Sequence, residues 1–187
     1  MRHSILLEKM AQLDIPDEAY NWLVDFFGGH SHSTVYRGQT STLKSINASI
    51  IQGSGIGPAL YVVNAGDLKA VAPRNRLVKF TDDTYLIVPA SDVDSRSAEL
   101  NNIEAWAMMN NLALNRSKSK EIIFIDPKRK RQFLLPSSLP RIARETSVKI
   151  LGVTITDGLS ASDHVRGVIS NSAQTLCVES SACTRHV

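Results

Sequence analysis

Cysteine is scarce in this chain of 187 residues, and its two thiols, Cys177 and Cys183, lie close to the end. Two thiols are too few for a disulfide scaffold or a four-ligand zinc site. Long apolar runs are also lacking, since none approaches the ~18 residues that a membrane span requires. No charged segment leads into an apolar one as in a secretory signal. These absences predict an intracellular protein, nuclear or cytoplasmic, that is neither secreted nor membrane-bound.

The charges are unevenly distributed, although the formal net charge is only +3. Residues 79–115 carry two basic and six acidic side chains, a balance of −4, whereas residues 116–149 carry ten basic and three acidic, a balance of +7. An acidic segment followed by a basic one suggests a cation-binding centre beside a polyanion surface. Ordinary solvated surface is the open alternative, because charge reports on partners rather than on fold.

Hydrophobic periodicity predicts a mixture of helices and strands. Helices are expected at residues 4–13, from Pro16 to about Phe27, from Pro58 to about Val71 and from Ser95 to about Leu112. Extended segments are expected at residues 34–51, 76–90, 121–125 and 148–155. This order predicts an α+β domain over residues 1–165, with helices on one face of an antiparallel sheet. After Asn171 the sequence has no period, so residues 166–187 are predicted to form a truncated or disordered tail.

Two adjacent aspartates, Asp82 and Asp83, interrupt the apolar pattern of residues 76–90, which predicts a β-hairpin with both carboxylates at or beside its turn. Carboxylate oxygens suit Mg²⁺, and two such ions ~4 Å apart can promote an in-line nucleotidyl displacement. That chemistry needs a further carboxylate from a second strand. The alternative is an Asp-Asp pair that only forms the turn, because aspartate is a leading turn residue.

Four short motifs follow one another along the chain. They are Gln52-Gly53-Ser54-Gly55-Ile56-Gly57-Pro58, Phe80-Thr81-Asp82-Asp83, Leu112-Ala113-Leu114-Asn115-Arg116-Ser117-Lys118-Ser119 and Lys149-Ile150-Leu151-Gly152-Val153. In order and spacing they resemble the palm of the reverse transcriptases of non-LTR (LINE-type) retrotransposons, with Thr81 in place of the usual alanine. The resemblance covers roughly residues 1–165. It implies a polymerase palm-like antiparallel sheet with fingers and thumb largely absent.

The resemblance implies three catalytic residues for two-metal nucleotidyl transfer to a primer 3′-hydroxyl. Asp82 would bind catalytic Mg²⁺, or Mn²⁺ in its place, and Asp83 would flank the same metal as the lesser ligand. Lys118 would steady, and could protonate, the leaving pyrophosphate, because a lysine supplies positive charge where negative charge develops.

The resemblance also implies contacts with an RNA template, a DNA primer and deoxynucleoside triphosphates. Gln52, Gly53 and Phe80 would contact the template and the incoming nucleotide, and a glycine at this place lets the backbone approach a base or sugar closely. Leu151 and Gly152 would form the primer grip.

One departure from the family pattern bears on activity. The first metal-binding aspartate of the family lies on a strand just before the helix that begins here at Arg2, and no aspartate precedes Asp14. This predicts a catalytically incomplete palm fragment. The alternative is a non-catalytic relic that binds nucleic acid or protein through residues 116–149, where the basic run 128–131 would follow a phosphate backbone.

Two further pairs of residues have structural interpretations. Trp22 and Trp106 are predicted to pack on the sheet from helices. His30 and His32 are predicted to lie in a polar loop, because no third metal ligand is near them in sequence.

Overall fold

The structure is a computed structural model that describes residues 2–49, 53–126 and 135–183, with side chains only as far as residue 174. The predicted site residue Gln52 and the basic run 128–131 therefore lie outside the described residues. The chain divides into two compact units, Met1–Leu114 and Asn115–Val187. The boundary expected at residue 165 falls within the second unit.

The first unit is built around four α-helices. They are α1 (His3–Met10), α2 (Asp17–Phe27), α3 (Gly57–Ala65) and α4 (Arg96–Met109). Apolar side chains four residues apart share a helix face, and such pairs on α1 and α2 meet α3 in one core, formed by Leu6, Met10, Leu23, Phe27 and Leu60. The first two predicted helices are thus confirmed.

Helix α3 ends at Ala65, well short of the predicted Val71. Gly66, a poor helix former, is the C-cap, and backbone groups beyond it bond to distant side chains. The amides of Val71 and Ala72 donate to the carboxylate of Glu99, so they do not continue the helix. Before α4, a 3₁₀ helix covers Ala90–Ser95.

Six strands of the first unit pair antiparallel in three two-stranded sheets. β1 (Ser31–His32) pairs with β4 (Lys44–Ser45), β2 (Val35–Tyr36) with β3 (Gln39–Thr40), and β5 (Arg76–Phe80) with β6 (Asp83–Ile87). The predicted hairpin at residues 76–90 is confirmed. His32 lies in β1 rather than in the predicted loop.

The second unit contains four short strands and one helix: β7 (Lys120–Ile122), β8 (Ala143–Glu145), β9 (Ser147–Ile150), β10 (Val153–Thr156) and α5 (Ser162–Cys183). β7 and β8 are parallel, whereas β9 and β10 form an antiparallel hairpin. The single strand predicted at residues 148–155 is therefore wrong, because Leu151 and Gly152 reverse the chain. Helix α5 continues well past Asn171, where the sequence predicted no regular structure. Over the described residues, no helix has the length and apolar character to cross a bilayer.

These elements confirm an α+β composition but correct the predicted sheet. The described strands form five separate two-stranded sheets, so one continuous antiparallel sheet is not found among them. Each strand is only two to five residues long and pairs with a single neighbour. The parallel β7–β8 pair is allowed because residues 123–142 connect it, and a parallel pair needs a dozen or more connecting residues.

Candidate functional site

The hairpin β5–β6 places Asp82 in its turn. Phe80 pairs with Asp83, which leaves Thr81 and Asp82 as a two-residue connection. Thr81 has φ = +48°, in the left-handed region that a β-branched residue rarely adopts. Asp82 and Asp83 are both exposed. The predicted position of the two carboxylates, at and beside the turn, is thus confirmed.

The two carboxylates have different surroundings. The hydroxyl of Tyr85 lies 3.4 Å from Oδ2 of Asp83 and donates to it, whereas Asp82 has no hydrogen bond or ion pair within the part of the chain that the structure describes. Tyr61 on α3 responds to both groups, since burial raises the pKa of its phenol and the charges of Asp82 and Asp83 raise it further. Both negative charges are therefore within electrostatic reach of the Tyr61 phenol. Tyr61 was not among the site residues predicted from sequence, and its one signal is its place in the helix after the glycine-rich motif.

Lys79 attaches the hairpin to the end of α3. Its ammonium group donates to the carbonyl oxygens of Ala65 and Leu68, the latter at 2.7 Å. Burial lowers the pKa of Lys79, Asp67 opposes that shift, and the neighbouring Lys69 and Lys9 add to it. This attachment joins the hairpin that carries Asp82 to the end of the helix that carries Tyr61.

Glu99 fixes the segment that leads into β5. Its carboxylate is fully buried and accepts hydrogen bonds from the amide of Val71 at 3.0 Å, the amide of Ala72 at 2.8 Å and Nδ2 of Asn75 at 2.7 Å. Burial by itself raises the pKa of Glu99, but these hydrogen bonds outweigh it and the net pKa is lowered. Glu99 was not among the residues singled out from sequence, because a glutamate within a helix is typically a surface residue.

Lys9 joins α1 to α3 and α4. Its ammonium group donates to the carbonyl of Asn64 at 2.7 Å, to Oδ1 of Asp67 at 3.0 Å and to Oδ1 of Asn110 at 2.7 Å. It also lies 5.3 Å from the ring centre of Trp106, whose Nε1 donates to Asp67 at 2.8 Å. Trp106, predicted to pack on the sheet from its helix, is half-buried on α4 and contacts this ion cluster through its polar edge.

The remaining predicted residues are placed within their own units. In the first unit, Gly53 has φ = +84° with open space where a Cβ would stand, and Phe80 is 54% exposed on the hairpin. In the second unit, Lys118 is exposed in a turn whose backbone bonds to Asn115. Leu151 and Gly152 form the two-residue turn between β9 and β10. Their φ angles of +47° and +88° are both positive, as in the type I′ turns that are common in hairpins.

The hairpin carboxylates fit a divalent cation as part of a ligand set. Both are exposed oxygen donors of the kind that Mg²⁺ prefers. They are adjacent at the hairpin turn, and the charges of both help to raise the pKa of the Tyr61 phenol. Within the described ranges, no group of three or more His, Cys, Asp or Glu residues is gathered as a metal site. A complete centre of this kind thus needs further oxygen ligands.

Comparison with known proteins defines the family. Residues 1–155 match the sequence model of the family described as reverse transcriptase (RNA-dependent DNA polymerase). Because the match covers most of the chain, the protein belongs to the reverse transcriptase family. The family resemblance predicted from the four motifs is confirmed.

Two relatives from Drosophila melanogaster place it further among retrotransposon enzymes of the LINE type. It is 26% identical over 180 residues to the RNA-directed DNA polymerase from mobile element jockey, covering 89% of this chain and 19% of that protein. It is 25% identical over 162 residues to the probable RNA-directed DNA polymerase from transposon X-element, covering 82% of this chain and 18% of that protein. The chain thus spans about a fifth of the length of these relatives.

Proposed function

We propose that this chain forms the palm of an RNA-directed DNA polymerase and carries part of its nucleotidyl-transfer centre. The observation that carries the proposal is the β5–β6 hairpin turn, which exposes Asp82 and Asp83 as adjacent carboxylates. The substrates are an RNA template, a DNA primer and deoxynucleoside triphosphates, as the relatives' names and the motifs suggest.

The chain's own residues have distinct tasks in this proposal. Asp82, which has no partner among the described residues, would hold Mg²⁺ or Mn²⁺, and Asp83, whose orientation is restrained by Tyr85, would bind at its side. The bound cation would supply the positive charge that activates the primer hydroxyl and stabilises the leaving pyrophosphate.

The binding residues complete the proposal. Gly53 would let the template or nucleotide approach the backbone, and Phe80 would contact the same substrates. Lys118, exposed in its turn, would offer its ammonium group to pyrophosphate oxygens. Leu151 and Gly152 would contact the primer end.

Primer extension on an RNA template tests the proposal. The purified chain is supplied with Mg²⁺ and deoxynucleotides, and Asp82→Asn is compared with Asp94→Asn, an exposed aspartate on the 3₁₀ helix that undergoes the same change of charge. Extension that disappears in Asp82→Asn and survives in Asp94→Asn supports the proposal. Extension that is equal in the two variants contradicts it.

A second candidate function is binding of nucleic acid without catalysis. It is favoured by the absence of a three-ligand acidic cluster among the described residues and by the +7 balance of residues 116–149. Its signature is a folded chain that does not extend a primer and binds RNA with a steep salt dependence. In that case Asp82→Asn and Asp94→Asn bind RNA with the same affinity.

A further inference from the structure

The outward face of α2 carries a row of aromatic rings. Trp22 and Phe26 are stacked with ring centres 5.2 Å apart and an angle of 21°, and Phe26 meets His30 edge-on at 5.3 Å. The spacing of four residues places Trp22 and Phe26 on one side of the helix, and His30 follows beyond its end. Trp22 is 55% exposed, so the prediction that it packs on the sheet is wrong.

Trp22 itself is not part of the core. Helix α2 packs inward through Leu23 and Phe27, and Phe26 is partly buried against the same core, whereas Trp22 is left on the exposed side of Phe26. A large ring left half in solvent costs hydration free energy, and a tryptophan at such a position is a frequent anchor of binding surfaces.

Carboxylates border the exposed ring. Glu18 lies one turn before Trp22 and Asp25 nearly one turn after it, and both are exposed. Neither of these two carboxylate groups has a hydrogen bond or an ion pair within the portion of the chain that the structure describes. With Asp17 the helix carries three acidic side chains and no lysine or arginine, so the surface around Trp22 is negative.

The exposed ring and the negative charge around it together indicate which kind of partner this face can bind. Bare aromatic rings suit the bases of single-stranded nucleic acid, but phosphates would approach three carboxylates with no cation on the helix. A guanidinium group, in contrast, stacks on a tryptophan face and donates to a carboxylate at the same time. We propose that the Trp22 face of α2 binds an arginine-bearing segment of a protein partner.

A defined peptide tests the proposal. The probe is a fluorescein-labelled helical peptide with arginine at every fourth position in an alanine background, and its control has citrulline, the uncharged isostere, at the same positions. Affinity is measured by fluorescence anisotropy at about 150 mM salt, where exposed long-range attraction is largely screened.

Two variants of the face are compared with one matched control. Trp22→Ala removes the ring, and Glu18→Gln/Asp25→Asn removes two charges without touching the core. The control, Glu8→Gln/Asp94→Asn, makes the same change of charge at exposed positions outside α2. We expect the dissociation constant for the arginine peptide to rise about tenfold in each variant of the face, as for loss of an anchor ring or a charge-assisted bond, and to stay unchanged in the control. The citrulline peptide should not bind.

Several results would overturn the proposal. They are equal affinity in the face variants and the control, and no saturable binding of the arginine peptide up to about 1 mM. Loss of oligouridine binding in Trp22→Ala would identify a nucleic-acid surface instead. A dimer that becomes a monomer in Trp22→Ala, by analytical ultracentrifugation, would identify a contact between copies. Primer extension is measured in parallel, because the proposal requires that it be unaffected by these substitutions.

Discussion

The ammonium group of Lys79 donates a hydrogen bond to the carbonyl oxygen of Leu68 at 2.7 Å, and a second one to Ala65 at the end of α3. One side chain thus joins the hairpin to the last carbonyl of α3, which also accepts from the amide of Leu68, and to the carbonyl of Leu68 beyond the helix. Because Lys79 is three residues before Asp82, the position of the candidate metal ligand depends on a bond to the preceding helix rather than on the hairpin alone.

Replacing Lys79 with methionine should loosen this attachment. The substitution keeps a long apolar side chain but removes the ammonium donor to the partly buried carbonyl of Leu68 and one of the two donors to that of Ala65. Leaving a buried carbonyl without a partner costs about 1–3 kcal/mol. We expect faster hydrogen exchange of the β5–β6 amides and a lower free energy of unfolding. Lys69→Met, at an exposed neighbour on the same connection, is the control. Equal exchange rates in the two variants would show that Lys79 does not hold the hairpin.

Substitution of the turn residue Thr81 should raise the free energy of unfolding, whereas Lys79→Met should lower it. Its φ of +48° costs a side-chain-bearing residue about 1–2 kcal/mol, whereas asparagine adopts this region more readily. Thr81→Asn should therefore raise the free energy of unfolding by about 0.5–1 kcal/mol in urea denaturation. Thr81→Val, which keeps the branched Cβ, should bring no gain. A gain of the same size in both variants would mean that the threonine hydroxyl, not backbone strain, is the source.

Local patterns predicted the parts of the fold that depend on near neighbours. The aspartates between two apolar runs marked the β5–β6 turn, and hydrophobic periodicity marked the first two helices. The end of α3 had a local signal in Gly66, which follows Ala65 directly, but the hydrogen bonds of Lys79 and Glu99 that hold the segment beyond it depend on residues distant in sequence. The outward orientation of Trp22 could not be predicted either. Phe27 lies on the buried side of α2 and Phe26 on the side of Trp22, and only tertiary packing decides which of these two aromatic sides points inward.

Acid should weaken the protein through Glu99. Its pKa is lowered in the folded chain from a usual value of 4.5, so its contribution to stability is fully present above that value and is lost as the pH falls through the folded pKa. We expect the free energy of unfolding to decline between about pH 5 and pH 3.

Glu99→Gln should flatten this part of the pH profile. The amide cannot accept the same set of bonds and turns an NH₂ group toward backbone donors, which should cost about 2–3 kcal/mol at neutral pH. Glu8→Gln, at an exposed position on α1, should leave both the stability and its pH dependence unchanged. Parallel profiles for the wild type and Glu99→Gln would assign the acid sensitivity to other carboxylates.

The titration of Tyr61 should report the charge of the hairpin aspartates. Its pKa is raised above the usual 10.0 by burial and then by Asp82 and Asp83. Removing one negative charge makes the phenolate easier to form, so Asp82→Asn should lower this pKa, and Asp83→Asn should lower it less. Burial remains in both variants and keeps the pKa above its usual value.

The measurement is the ultraviolet difference spectrum of tyrosinate against pH, with the curve of Tyr61→Phe subtracted to remove the other three tyrosines. Asp94→Asn, away from the hairpin turn, should leave the curve in place. Since a raised pKa favours the protonated phenol, the stability that Tyr61 contributes is lost as the pH rises through its folded value, and Tyr61→Phe should abolish that loss. A curve that is identical in Asp82→Asn and Asp94→Asn would mean that Asp82 does not act on Tyr61. The Tyr61 phenol would then give no support for placing Asp82 beside α3.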